Sequence, residues 1–218
     1  MTNDQLTIAL PKGRLGDDAL SALNKIGYGN IVDTNSRQLI FEDKLNHIKY
    51  LIVKPVDVIT YVSQGVADIG IIGKDNILEE EPEIYELLDL GFGKCKFSIA
   101  GYPNQVLNNP DEVLRVATKY PTVAHLYFKS KNQKIEIIKL NGSVELAPLV
   151  GLSDVIVDIV ETGSTLKANG LIVLEDMFEI SAKLISNRVS YRFKSNMILP
   201  LLAKLSNLEG VLADDKNN

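Results

Sequence analysis

A single cysteine, Cys95, in a chain of 218 residues excludes an internal disulfide framework, and with only His47 and His125 beside it no zinc-ligand set can be assembled. No apolar run approaches the ~20 residues of a membrane span. The N-terminus lacks the basic-then-apolar order of a signal peptide, so a cytoplasmic protein that touches no membrane is expected. A net charge of −5 argues against a broad nucleic-acid-binding face. Internal repeats and low-complexity linkers are absent as well. What is present is ordinary for a globular protein with a real core, 45% hydrophobic and 23% charged residues.

The apolar segments alternate between strand and helix character. Leu6–Leu10 reads as a strand, and Pro11-Lys12-Gly13-Arg14 as the turn after it. Asp17 and Asp18 then lead a helix with Ala19, Leu20, Leu23 and Ile26 on one face, closed by Gly27. Strands are expected at Gln38–Glu42, Tyr50–Val53 and Ala67–Ile72. A Pro55-led helix over Val56–Gln64 stops at Gly65, and another helix opens at Gly73-Lys74-Asp75-Asn76 with Asp75 as its cap. Further on, Lys94–Tyr102, Val113–Thr118 and Lys134–Leu140 read as strands, Pro121 starts a helix, and Gly142–Leu149 is a short helical link. Ile172–Ile180 is extended, Ser181–Arg188 and Ser195–Leu205 are helical, and the tail Asp214–Asn218 frays. This order means an α/β fold with mainly parallel sheets.

Some eight strands would make a wide single sheet for this length, so two lobes with a cleft between them are expected. Gly91-Phe92-Gly93 is the first crossing and Leu174–Phe178 the return. Residues 1–92 and 178–218 then form lobe I with the returning C-terminal helices, and 93–177 form an inserted lobe II. Sites in such folds lie beyond the carboxyl ends of strands.

The run Val155, Ile156, Val157, Ile159, Val160 suits a parallel strand buried on both faces, with Asp158 as the one acid near its end. Glu161, Thr162, Gly163, Ser164 and Thr165 follow. Such a turn can aim backbone N–H groups and three hydroxyls at one point, which is how a phosphate is held without a dedicated cation. The same residues also suit an ordinary connection in which Gly163 supplies φ > 0. Lys12, Gly13 and Arg14 follow the first strand, Arg37 precedes one and Lys54 follows another. Singly, each basic residue suits a solvated surface charge. Taken with the hydroxyl-rich turn, they describe a pocket for a polyanionic sugar phosphate. Glu145 and Asp158 lie nearby in that pattern; the alternative is a helix cap and a buried ion-pair member.

Asp154–Leu171 resembles the phosphoribosyl-diphosphate signature of the ATP phosphoribosyltransferase family, which opens histidine biosynthesis. The resemblance extends to Pro11–Arg14, Ser36–Phe41, Asp57–Gly65, Ala67–Asp75 and Gly142–Leu152. It implies a two-lobed fold similar to type II periplasmic binding proteins. The implied reaction joins ribose C1 of phosphoribosyl diphosphate to N1 of the adenine of ATP, releasing pyrophosphate. By resemblance, Arg37 and Lys54 hold the pyrophosphate, and Glu161, Thr162, Gly163, Ser164, Thr165 and Leu166 hold the 5′-phosphate. Asp158 and Glu145 accept from ribose hydroxyls, while Lys12, Gly13 and Arg14 approach ATP or the diphosphate. Mg²⁺ is expected on the diphosphate rather than in a protein cage. Many relatives carry Arg where this chain has Lys54, which keeps the charge without the bidentate fork. The length resembles the short form of the family, implying a hetero-oligomer with a separate regulatory subunit similar to histidyl-tRNA synthetase.

Two other readings share parts of this pattern. A non-catalytic sensor of the periplasmic-binding type would have the same fold but no use for Asp158 ahead of a phosphate turn. A salvage phosphoribosyltransferase for a free base commonly sets two adjacent acids before that turn, whereas here Ile159 and Val160 follow Asp158.

Overall fold

A computed structural model describes residues 5–34, 36–107, 109 and 112–214, with side chains through residue 208. In chain order the first elements are β1 (Leu6–Pro11), α1 (Arg14–Lys25), β2 (Ile40–Asp43), β3 (Ile48–Val53), α2 (Val58–Ser63), β4 (Ile69–Gly73), α3 (Lys74–Glu80), β5 (Tyr85–Asp89), β6 (Cys95–Gly101) and β7 (Leu114–Thr118). Then come α4 (Pro121–Ser130), β8 (Ile135–Lys139), α5 (Leu146–Leu149), β9 (Val155–Val160), α6 (Ser164–Ala168), β10 (Ile172–Ile180), β11 (Ala182–Ser186), α7 (Arg188–Phe193) and α8 (Ser195–Asp214). The described residues fall into two compact units. One runs through Ile77, resumes for Glu81–Gly93 and takes the chain again from Ser181; the other holds Leu78–Glu80 and Lys94–Ile180.

The first unit is built on a six-stranded sheet in the order β2-β3-β1-β4-β11-β5. β1 runs parallel to β3 and β4, while β2 and β11 pair antiparallel with their neighbours. Both faces are covered. Leu6, Ile8 and Leu10 of β1 pack with Ala19, Leu20 and Leu23 of α1, and Ala9 turns to the opposite cluster with Val58, Ile59 and Val62 of α2. Burial on both sides is why β1 and β4 read as unbroken apolar runs rather than alternating ones.

The second unit has a five-stranded sheet in the order β10-β6-β9-β7-β8. β9, β7 and β8 are parallel; β6 is antiparallel to β9 and to β10. Phe97, Ile99, Val155 and Val157 pack with Val123, Ala124 and Phe128 of α4. Ala100, Ala117 and Ile156 face the other way, toward Ala147 of α5 and Leu166 of α6. Parallel pairing thus joins three strands in each sheet, at the centre of the first (β3-β1-β4) and along one side of the second (β9-β7-β8), and antiparallel strands complete both, so the sheets are mixed rather than mainly parallel.

Several expectations need correction. Ser181–Arg188 is not helical: Ala182–Ser186 is β11, a strand between β4 and β5. Leu184 and Ile185 are fully buried there, which stabilises by ~1.5–3 kcal/mol per branched side chain. Differences in helix propensity reach only ~0.7 kcal/mol per residue, so burial in the sheet wins. β5 carries no clear strand signal in the sequence, because Glu86 and Asp89 break its apolar pattern at the sheet edge. α1 begins at Arg14, three residues ahead of Asp17, and the cap of α3 is Gly73 rather than Asp75, which lies in the first turn. The segment after Lys54 starts as a 3-10 turn, Pro55–Asp57, before α2. α8 continues past Leu205 to Asp214; residues 215–218 of the expected frayed tail lie outside the described residues.

Candidate active site

The basic residues of the first unit gather at one end of its sheet because parallel strands finish together. Pro11 of β1 lies opposite Val53 of β3, so Lys12 and Lys54 leave adjacent strands side by side, and the Lys12 amide donates to the Val53 carbonyl at 2.8 Å. Arg37 arrives from the same end: the Ile52 amide of β3 donates to the Leu39 carbonyl at 2.8 Å, two residues beyond Arg37. All three side chains are exposed. Among the described residues none is tied into an ion pair or hydrogen bond, in contrast to Lys74, Lys183 and Lys194, which have carboxylate partners. Lys54 sits at φ −66° and ψ 146° ahead of the Pro55 turn, the extended backbone that a following proline imposes.

Gly13 takes φ 87° at the cap of α1, and its carbonyl accepts from the Gly16 amide at 2.8 Å. Arg14 is the first residue of that helix. Gly16 has a structural reason to be glycine, since a Cβ there would fall 1.8 Å from the Pro11 carbonyl oxygen. The turn therefore hugs the end of β1. Beside it lies a cavity of about 360 Å³ lined by Lys12, Gly13, Asp33, Thr34, Ser36 and Gln38. Thr34, Ser36 and Gln38 carry polar side chains into this lining; Ser36 and Gln38 lie in the Ser36–Phe41 stretch that carries the family resemblance, but the sequence gives none of the three a substrate role.

In the second unit β9 delivers the acid and the turn as one piece. Val155, Ile156 and Val157 are fully buried, Asp158 is half-buried, and the strand ends at Val160. Gly163 takes φ 69° and caps α6, a left-handed backbone that glycine adopts without a steric penalty. The Thr162 Oγ1 and Ser164 Oγ lie 3.0 Å apart, and Thr162, Ser164 and Thr165 are all exposed, as is Glu161. Leu166 differs from its neighbours. Its side chain is 5% exposed and packs with Ala147, Ile156 and Leu171, which leaves only its backbone N–H for a ligand. Glu145 stands at the N-cap of α5, as a helix-cap reading expects, but its side chain makes no hydrogen bond to the helix end. Val144 and Ala147, on either side of Glu145, share a cluster with Ile156 and Leu166. That packing brings Glu145, Asp158 and the hydroxyl turn to the same face of the sheet.

One nearby group escaped the sequence reading. Ser98 of β6 faces Asp158 in the β6–β9 register and is 1% exposed, and its hydroxyl donates to Asp176 at 2.9 Å. The signal was available in kind: Ser98 interrupts the apolar run Phe97–Ala100 as Asp158 interrupts its own.

The architecture is that of the two-unit α/β class to which periplasmic solute-binding proteins belong. The periplasmic aliphatic sulphonate binding protein SsuA from Escherichia coli superposes with a TM-score of 0.62 over 98% of this chain and 71% of that one, at 14% identity. At that identity the likeness is one of fold alone. Sequence comparison goes further. The ATP phosphoribosyltransferase family model matches residues 54–207. An ATP phosphoribosyltransferase of Clostridioides difficile (strain 630) is 60% identical over 206 residues, covering 94% of this chain and 99% of that protein. One from Brachyspira hyodysenteriae is 52% identical over its full length. The ATP phosphoribosyl transferase (HisG:HisZ) complex from Thermotoga maritima matches with a TM-score of 0.80 and 39% identity, covering 93% of this chain and 98% of that one. The chain belongs to the ATP phosphoribosyltransferase family, which makes it a transferase of the phosphoribosyltransferase class.

Proposed function

We propose that the protein condenses ATP with 5-phosphoribosyl 1-diphosphate to give N1-(5-phosphoribosyl)-ATP and pyrophosphate, the first step of histidine biosynthesis. The adenine N1 lone pair forms the new bond to ribose C1, and the electrons of the C1–O bond leave with pyrophosphate. Positive charge builds on the ribose as the leaving group departs, so stabilisation of that group and alignment of the reactants carry the catalysis. N1 already holds its lone pair, and no His or Cys base is needed for attack. The observation that carries this reading is the set of uncommitted cations Lys12, Arg37 and Lys54 at one end of the first unit's sheet, in a chain of this family.

Arg37 and Lys54 take the pyrophosphate, where an Arg fork suits two oxygens at once and Lys54 acts as a point charge. Lys12, Gly13 and Arg14 approach ATP or the diphosphate, with Gly13 opening onto the 360 Å³ cavity. In the second unit Thr162, Gly163, Ser164, Thr165 and the Leu166 amide receive the 5′-phosphate, with Glu161 at the edge of the turn, and Asp158 and Glu145 accept from ribose hydroxyls. The family's reaction uses a divalent metal. That metal is taken as Mg²⁺ carried by the diphosphate with several of its waters. There it would neutralise charge on the leaving group.

No described helix is long and apolar enough to cross a membrane, and a cytoplasmic site of action fits the substrates. By analogy with the Thermotoga maritima complex, the chain works in a hetero-oligomer with a separate regulatory subunit similar to histidyl-tRNA synthetase. The decisive experiment follows pyrophosphate release by the purified chain with Mg²⁺, ATP and phosphoribosyl diphosphate, with and without that subunit. Release is expected to need both substrates; release with free adenine but not ATP would overturn the assignment.

A further inference from the structure

The second unit also brings a cation to its candidate site, through the strand next to β9. β7 lies directly beside β9 and parallel to it, with Thr118 opposite Val157; the next residues are Lys119 and Asp158. Thr118 is fully buried. Its Oγ1 donates to the Val157 carbonyl at 2.7 Å and accepts from the Tyr120 amide at 2.8 Å, so the peptide that leads into Asp158 is tied to the residues on either side of Lys119. From the other flank the Leu140 amide donates to the Thr118 carbonyl at 3.0 Å. Neighbouring strands lie ~4.7–4.9 Å apart, and Lys119 therefore leaves the sheet one strand spacing from Asp158, with no strand between them. Asp158, two residues past Ile156, is on the face of α5 and α6, and Lys119 holds the matching place past Ala117.

The ammonium is placed there but not committed. Lys119 Nζ lies 5.3 Å from the centroid of the Tyr120 ring, and that ring is 5% exposed and packs edge-to-face with Phe97 at 4.9 Å. A ring face attracts the cation and leaves its three N–H donors for oxygen acceptors. Lys119 is half-buried, whereas Lys129, Lys134, Lys139 and Lys167 of the same unit are exposed. Lys96 and Lys131 are bonded to Asp176 and Glu175; no carboxylate among the described residues takes Lys119. Glu79 accepts instead from the Thr122 and Val123 amides at 3.0 and 3.2 Å, at the start of α4.

We propose that Lys119 is a further substrate-binding residue of this enzyme, its ammonium meeting phosphate oxygens of the phosphoribosyl diphosphate whose ribose hydroxyls bond to Asp158. The inference rests on the assignment of Asp158 and the Glu161–Leu166 turn to that substrate. A ribose held at Asp158 lies beside the end of β7 as well, within the span of lysine's flexible four-carbon stem. The turn by itself offers only hydroxyls and backbone amides. Lys119 adds a positive charge, and hydrogen bonds between an ammonium and a phosphate are roughly twice as strong as neutral ones.

The test is calorimetric binding of phosphoribosyl diphosphate and ribose 5-phosphate to the full chain, together with KM for each substrate from pyrophosphate release. Lys119→Gln is expected to weaken phosphoribosyl diphosphate by about tenfold or more, as loss of a hydrogen bond to a charged group implies. KM for ATP should stay within about twofold, and Lys119→Arg should recover most of the affinity. An equal loss for ribose 5-phosphate places the contact on the 5′-phosphate, and a loss confined to phosphoribosyl diphosphate places it on the diphosphate. Phosphoribosyl diphosphate affinity that Lys119→Gln leaves within twofold, or a loss that falls on ATP instead, overturns this inference alone. Failure of the wild-type chain to bind phosphoribosyl diphosphate, or unchanged binding in both Thr162→Ala and Thr165→Ala, overturns the turn's assignment and this inference with it.

Discussion

Thr162 and Thr165 stand exposed on either side of Ser164, with hydroxyls available to a phosphate. Each Thr→Ala change should weaken phosphoribosyl diphosphate binding by ~1–3 kcal/mol, the cost of losing a hydrogen bond to a charged group. Stability should stay within ~0.5 kcal/mol, since neither side chain packs in the core. Calorimetric titration checks this, and unchanged affinity in both variants would make the turn structural only. A different residue-scale prediction concerns Asp89. Its partial burial raises the carboxyl's pKa, but bonds from the Lys183 ammonium, the Ser181 hydroxyl and the Gly91 amide outweigh that and hold it down at about 2, against an ordinary 3.8. The folded pKa is below the unfolded one, so this contribution is present above pH ~4 and is lost as pH falls from ~4 toward 2. Lys183→Met should flatten the acid limb of a stability–pH curve in that window, and an unaltered limb would count against the pair; with half of Asp89 exposed, the effect is small. At this scale the sequence shows polar residues that interrupt apolar runs or follow strands, such as Asp158, Lys12 and Lys54. It does not show Asp176 beside Ser98, 78 residues apart, because cross-strand register is a property of the folded sheet.

The returning C-terminal helices are fastened to the first unit's sheet by one carboxylate. Asp68, just before β4 and 5% exposed, accepts from the Thr7 amide at 2.8 Å, from the Ser190 hydroxyl of α7, and from Lys194 Nζ at 2.7 Å. Asn187 caps α7 by accepting from the Ser190 amide at 2.7 Å and donates to the Ala67 carbonyl at 3.1 Å. Asp68→Ala would leave the Lys194 ammonium, whose side chain is 23% exposed, without its counterion, along with an orphaned Thr7 N–H. A loss of ~3–5 kcal/mol in urea unfolding is expected, as for a buried pair broken from one side. Asp68→Ala combined with Lys194→Met should regain part of it. A loss under ~1 kcal/mol would mean that packing of Ile198, Leu201 and Leu205 alone holds α8. Elements flanked by glycine or proline with a clear period, such as β1, α4 and β9, were legible in the sequence. β11 was not, because a five-residue apolar segment satisfies both periods and only the strands on either side of it decide. The extent of parallel pairing escaped for the same reason: direction depends on which strands become neighbours.

At the scale of the molecule, the described residues supply two units, each with its own sheet and apolar clusters. The candidate groups are divided between them, Lys12, Arg37 and Lys54 on one and Asp158 with the hydroxyl turn on the other. The chain spans 99% of its Clostridioides difficile relative and the full length of the Brachyspira hyodysenteriae one. Within these units the polar groups gathered at strand ends are cations, hydroxyls and two acids suited to phosphates and a ribose. With the regulatory subunit proposed above, feedback control by histidine would reside on that subunit. The purified chain is accordingly expected to give no saturable heat when titrated with histidine, whereas the complex with its regulatory subunit should bind it and lose activity. Saturable binding to the isolated chain would place the regulatory site on these units instead, and inhibition of the isolated chain at the same concentrations would show that it acts there.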